Sequence, residues 1–160
     1  MALQQTAREL AKQLSELLAG TEFGIGGSCL LQQLGIDVTP RDVDIICSEA
    51  DYSIIHQQLA TLLTPITLPT HPEYCSRFFQ RFISQDGASD EGIGVDLMAG
   101  VAVKRQGDKQ YFKFEPSRTE LQHGIRWMLA ADWLVLYQMF NRPQRVLQLT
   151  QYFALGKAFD

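Results

Sequence analysis

The sequence predicts an α+β protein: a mixed β-sheet flanked by helices, with a helical C-terminal third. Three observations carry that expectation. Apolar residues recur at helical spacing near both ends, short β-branched runs bounded by glycine and proline fill the middle, and no segment repeats or has a linker's composition. At 160 residues the chain has the length of one domain, expected to span 1–160. With 46% hydrophobic and 20% charged residues it falls outside the profile of disordered chains. A net charge of -4 argues against a generic nucleic-acid binder, which carries a basic excess to displace phosphate counterions.

The elements follow in order. Ala7, Leu10, Ala11, Leu14, Leu17 and Leu18 form one helical stripe, and Gly20 follows as a stop. Phe23 to Gly27 reads as a short strand running into glycines, and Cys29 to Leu34 as a brief helix ended by Gly35. Val43 to Cys47, rich in β-branched residues, reads as a buried strand. Ser48 and Asp51 resemble a capping box opening a helix whose apolar face is Ile55, Leu59, Leu62 and Leu63, with Pro65 ending it. Arg77 to Ile83 looks extended, and a polar loop from Ser84 to Gly92 connects it to Gly94 to Ala99 as an antiparallel pair. A further hairpin is expected from Val101 to Arg105 and Gln110 to Phe114, turning at Gly107 and Asp108. Trp133, Leu136, Tyr137 and Phe140 then form one helical stripe, and Pro143 opens a last helix with Val146, Leu149 and Phe153 inward.

Cys29, Cys47 and Cys75 are odd in number, widely spaced and without a CxxC pair, so they read as reduced core thiols rather than a disulfide frame or zinc site. His56, His71 and His123 have no ligand spacing and read as structural or solvated. Charges at Arg8, Glu9, Lys12 and Glu16 interrupt the N-terminal stretch, and no run has the 18 or so apolar residues of a membrane span, so the expected setting is cytoplasmic, away from membranes.

The informative segment is Phe23-Gly24-Ile25-Gly26-Gly27-Ser28, thirteen further residues, then Asp42-Val43-Asp44-Ile45. On a strand, residues two apart share a face, so Asp42 and Asp44 project together, about 6.6 Å apart along the chain, while Val43 and Ile45 enter the core. Two such carboxylates suit a hard divalent cation such as Mg²⁺. Asp96, between Val95 and Leu97, completes a three-carboxylate site if its strand is the neighbour. Such a cluster repels itself unless a cation or proton neutralises it. Gly26 and Gly27 let a phosphate approach the backbone, and Ser28 stands at the start of the short helix, where amide donors favour anions.

Those residues resemble the signature of the polymerase-beta-type nucleotidyltransferase superfamily: an apolar-Gly-Gly/Ser turn, a spacer, an acid-x-acid pair on the next strand and a third acid on a later one. The match falls on Gly26, Gly27 and Ser28, on Asp42 and Asp44, and on Asp96, within roughly the first hundred residues. Arg41, directly before the acid pair, is similar to the small bacterial members of that superfamily, antibiotic-modifying and toxin-antitoxin-type enzymes among them. The resemblance implies a minimal nucleotidyltransferase fold that moves a nucleoside monophosphate from an NTP, ATP foremost, to an acceptor hydroxyl. It implies two Mg²⁺ ions on Asp42, Asp44 and Asp96, with Asp96 helping to deprotonate the acceptor and Gly27 and Ser28 gripping the triphosphate. Many small members carry Arg-x-Lys-Asp on their C-terminal helices; here only Arg142 corresponds.

A rival pattern is Gly24-x-Gly26 with Asp44 twenty positions on, the outline of a dinucleotide-binding fingerprint. Cys29 stands where its third glycine belongs, and Gly35 cuts its helix short. Lys104 and Arg105 are placed either to reach a triphosphate or to sit as surface charges on the hairpin; Trp133, Tyr137 and Phe140 read as core. The acceptor is left open between a small molecule, RNA and a protein hydroxyl. A domain this small leaves its site shallow, which invites a protein partner or a second copy of the chain to supply a wall. The alternative to an enzyme is a non-catalytic partner-binding protein of the same fold, such as one half of a toxin-antitoxin pair.

Overall fold

The computed structural model describes residues 5–84 and 92–158. The first helix, α1 (Ala7–Leu17), begins at a full capping box: Thr6 Oγ1 accepts from Glu9 N at 3.1 Å, and the Glu9 carboxylate accepts from Thr6 N at 3.1 Å. Ala7, Leu10, Ala11 and Leu14 are buried, as their spacing requires. Because Thr6 satisfies an otherwise orphaned amide, Thr6→Ala is expected to cost about 1 kcal/mol, read as a fall of roughly 2–4 °C in melting temperature.

The strand β1 (Phe23–Gly26) runs directly into α2 (Gly27–Gln33), and β2 (Asp42–Cys47) returns antiparallel beside β1. This order excludes the dinucleotide-binding pattern, which needs parallel strands joined by a full helix. The next helix, α3 (Tyr52–Leu62), starts at Asp51 without a side-chain cap. Ser48 Oγ accepts from Asp51 N at 3.2 Å, but the Asp51 carboxylate turns away to accept from Glu22 N at 2.7 Å, so the expected capping box is only half formed. Leu63 does not extend the helix: it opens an edge strand, β3 (Leu63–Ile66), that contains Pro65. An edge tolerates proline because one side of its backbone needs no ladder partner.

The pair β4 (Phe78–Ser84) and β5 (Gly94–Ala99) is antiparallel as expected, and the loop between them falls mostly on 85–91, outside the described residues. The hairpin β6 (Ala102–Arg105) and β7 (Asp108–Tyr111) forms its own two-stranded sheet. Its turn is Gln106-Gly107, with φ of 52° and 86°, one residue earlier than expected; Asp108 already pairs with Arg105. A second hairpin, β8 (Thr119–Gln122) and β9 (Ile125–Met128), precedes α4 (Ala130–Met139) and α5 (Pro143–Ala158), so the helical part begins only at Ala130.

The main sheet has seven strands in the order β3-β4-β5-β2-β1-β9-β8. Val43, Ile45, Phe82, Val95 and Leu97 are all fully buried on one face. The helix α3 covers part of that face, with the His56 ring 5.1 Å from Phe82 and Tyr52 stacked on Phe78 at 4.7 Å. The opposite face receives α4, which lays Trp133 against Gly26. Among the described residues, no helix is long and apolar enough to cross a membrane.

Candidate active site

The pairing of strands assembles one row of residues across the sheet. Ile66 of β3 faces Arg81 of β4, Arg81 faces Asp96 of β5, Asp96 faces Asp44 of β2, and Asp44 faces Gly26 of β1. Partners in register point to the same face from strands about 4.8 Å apart, so Asp96 and Asp44 are lateral neighbours. Asp42, two residues along β2, shares their face and pairs with Gly94. The alternation is visible in burial: Asp42 and Asp44 are partly open, while Val43 and Ile45 are sealed.

Glycines make room for this row. Gly27 has φ of +65°, and a Cβ there would stand 2.0 Å from Asp44 Oδ2. Both the backbone and the neighbouring carboxylate therefore demand glycine. A Cβ on Gly26 would fall 1.6 Å from Trp133 Nε1, and one on Gly94 would fall 2.2 Å from Arg81 Nη2. The bare backbone at Gly94 lets the Arg81 guanidinium lie across β5 and bridge two acids. Arg81 Nη1 donates to Asp96 Oδ1 and Oδ2, each at 3.0 Å, and Nη2 donates to Asp42 Oδ1 at 3.4 Å.

Burial pushes the Asp44 carboxyl up to about 7, helped by the charges of Asp96 and Asp42 and opposed by Arg142 and Arg81. No described side chain donates a hydrogen bond to its carboxylate. Asp96 is also raised, because burial outweighs its pairing with Arg81. For Arg81, burial acts downward, yet Asp96 and Asp42 together hold the guanidinium above its ordinary range. Tyr137, buried beside Asp44, is raised as well, first by burial.

The row opens into a cleft of about 860 Å³, lined by Ser28, the three aspartates and four arginines, Arg41, Arg81, Arg142 and Arg145. Its outer wall is aromatic: His71 stacks on Tyr74 at 4.0 Å, and Tyr74 meets Phe140 edge-on at 5.4 Å. Of the sequence-predicted site residues, Ser28, Asp42, Asp44 and Asp96 line the cleft, and Gly26 and Gly27 lie behind them against Trp133 and Asp44. Lys104 and Arg105 do not line it; Arg105 bonds Glu73 at 3.3 Å and the Met139 carbonyl. Trp133 and Tyr137 are buried core residues, as expected, that also wall the cleft.

Sequence inspection missed Arg81 and Arg145. Arg81 had a signal: it is the charged member of the alternation Phe79-x-Arg81-x-Ile83, on the face opposite buried Phe82. The cysteines are free as expected. Burial pushes the thiols of Cys29 and Cys47 up to about 12, which makes them inert core groups, but Cys75 is only half-buried and not a core thiol.

Asp42 and Asp44 offer hard oxygen donors from one strand face; among the described residues no side chain donates to Asp44, and Arg81 takes only Oδ1 of Asp42, so the pair suits a cation of the Mg²⁺ class. Asp96 does not stand ready in the same way, since both its oxygens accept from Arg81. Correspondingly, no group of three or more His, Cys, Asp or Glu among the described residues is arranged to hold a metal ion. The acids left to offer oxygens to an ion are therefore Asp42 and Asp44, with Asp96 engaged by Arg81.

No protein-family model matches the sequence, and no curated protein is significantly similar to it. Among solved structures, a candidate nucleotidyltransferase from Thermotoga maritima is similar over 91% of this chain and 91% of its own, with a TM-score of 0.63 at 17% identity. At that identity the likeness is one of fold. The chain has a nucleotidyltransferase-type α+β fold: a mixed sheet flanked by helices, with a helical C-terminal end.

Proposed function

We propose that the chain is a Mg²⁺-dependent nucleotidyltransferase that moves a nucleoside monophosphate from an NTP, ATP foremost, to the hydroxyl of a small molecule, an RNA or a protein. The observation that carries this is the register Asp44–Asp96, with Asp42 on the same face and Gly27 pressed against Asp44. In the reaction the acceptor oxygen bonds to the α-phosphorus, the bond to the bridging oxygen breaks, and pyrophosphate leaves with that electron pair. When bound at Asp42 and Asp44, Mg²⁺ would supply neutralisation of the charge that builds on the phosphoryl oxygens.

The chain's own residues do the rest. Arg41, Arg142 and Arg145 line the cleft as cations for a triphosphate. The Ser28 hydroxyl lines the cleft and can meet a phosphate there, whereas Gly26 and Gly27 are packed under Trp133 and Asp44 and offer it no open backbone. Asp96, with its carboxyl raised, is suited to take the acceptor proton once Arg81 has released it. The stacked His71–Tyr74 pair offers a flat surface for a ring.

One observation favours a second reading, a non-catalytic partner-binding protein of the same fold: Arg81 ties both oxygens of the third acid. Calorimetric titration with each NTP, with and without Mg²⁺, separates the two. The enzyme reading expects Mg²⁺-dependent binding that is lost in Asp42→Asn. Absence of nucleotide binding in every condition, with a protein co-purifying, would establish the non-catalytic one.

A further inference from the structure

Arg81 bridges two of the three acids in the row, Asp96 and Asp42. It is the in-register partner of Asp96 across β4 and β5, so its position is fixed by strand pairing rather than by a mobile loop. Its side chain is 21% exposed and that of Asp96 20%, so the pair is largely withdrawn from water, whereas Asp42 at 43% remains accessible. Guanidinium donors held on a carboxylate at 3.0 Å in such a place are strongly coupled to it. With all three carboxylates ionised and Arg81 present, the row carries two negative charges in excess, the charge of one divalent ion. Without it they would carry three and leave Asp96 with no partner among the described residues.

We propose that Arg81 is an internal counter-cation standing in for one divalent ion at Asp96, so that the nucleotide-free chain holds a single divalent cation, on Asp42 and Asp44. The proposal rests on the nucleotidyltransferase reading of the same site. A triphosphate gives the guanidinium alternative oxygen acceptors in the same cleft, since Arg81 lines it beside Ser28 and Arg142. Nucleotide binding therefore draws Arg81 off Asp96 and opens the third carboxylate to a second ion. The two events are coupled in both directions, as linkage requires. Arg81 is in this sense a positioning residue: it acts on the reaction through Asp96 and keeps the full metal complement from assembling before the substrate is present.

The test counts bound Mn²⁺ by the electron paramagnetic resonance signal of the free ion, with and without a non-hydrolysable ATP analogue, in the wild type, Arg81→Gln, Arg81→Lys and Asp44→Asn. One ion per wild-type chain, rising to two with the analogue, is expected. Arg81→Gln should take two ions without nucleotide, with overall affinity at least tenfold higher, while Arg81→Lys, which keeps the charge, should stay at one. A wild type that takes two ions without nucleotide, or an Arg81→Gln chain that takes no more than the wild type, overturns the proposal. One ion in both, lost in Asp44→Asn, overturns it while leaving the nucleotidyltransferase reading standing. No Mn²⁺ on the wild type or Arg81→Gln with the analogue present removes both.

Discussion

Asp44→Asn is expected to abolish Mg²⁺-dependent nucleotide binding, at least a hundredfold, and to raise the melting temperature of the metal-free chain at pH 8. The two effects have one cause. Asp44 sits in the row beside Asp96 and Asp42, and its carboxyl titrates near 7 in the fold against 3.8 in the unfolded chain. Between those values the folded state holds a proton that the unfolded state has released, so stability falls as pH rises through that window and stays low above it. Each unit of such a shift is worth about 1.4 kcal/mol, and water reaching the partly open side chain reduces the total to the order of 1–3 kcal/mol. Asn carries no charge and escapes the penalty. Thermal melts in EDTA should therefore place the variant several degrees above the wild type at pH 8, the gap narrowing as pH falls toward 4. Added Mg²⁺ should reverse the order, because an ion at 100 times its dissociation constant stabilises by about 2.7 kcal/mol and only the wild type keeps both ligands. A variant that melts below the wild type at pH 8 in EDTA would show that Asp44 is a structural acid, and retained Mg²⁺-dependent nucleotide binding would take it out of the site.

That an ionisable side chain costs stability where it serves a site explains why the acid row was legible in the sequence. A charged residue between Val95 and Leu97, and two more alternating with Val43 and Ile45, break an otherwise apolar pattern for no structural gain. The fold class and most elements were legible for the related reason that burial imposes periodicity. What was not legible lacked it. The strand β8 is exposed at three of its four positions, and its turn to β9 uses His123 and Gly124, both at positive φ, with a histidine where asparagine or glycine would signal a hairpin. Edge strand β3 was hidden by Pro65, which ends helices and interior strands but not edges. Arg81 was missed because its role is set by register with Asp96, fifteen residues away, and register is invisible until the strands are paired.

Gly26→Ala should unfold more of the protein than any change to the acids. Gly26 has a negative φ of -139°, so the left-handed region that favours glycine is not what an alanine would meet first. The obstacle is Trp133: the new methyl would stand 1.6 Å from Nε1 and 1.9 Å from Cε2. An indole 2% exposed on α4, its Nε1 donating to Met128 Sδ at 3.1 Å and its ring edge-on to Tyr137 at 5.2 Å, has nowhere to turn. The helix must lift from β1, which costs about 3 kcal/mol, the upper end for overpacking, or roughly 6–12 °C in melting temperature. Gly27→Ala makes the instructive contrast. Its methyl meets Asp44 Oδ2 at 2.0 Å, the end of a side chain that can rotate, so it should cost less stability while destroying metal binding. Pairing Gly26→Ala with Trp133→Ala removes the clash, and the double variant should be more stable than the sum of the two losses by 1–3 kcal/mol or so. Strict additivity in that cycle would mean that Trp133 and Gly26 do not press on one another, and α4 would lose its role as the clamp that holds Tyr137 and Arg142 over the acid row.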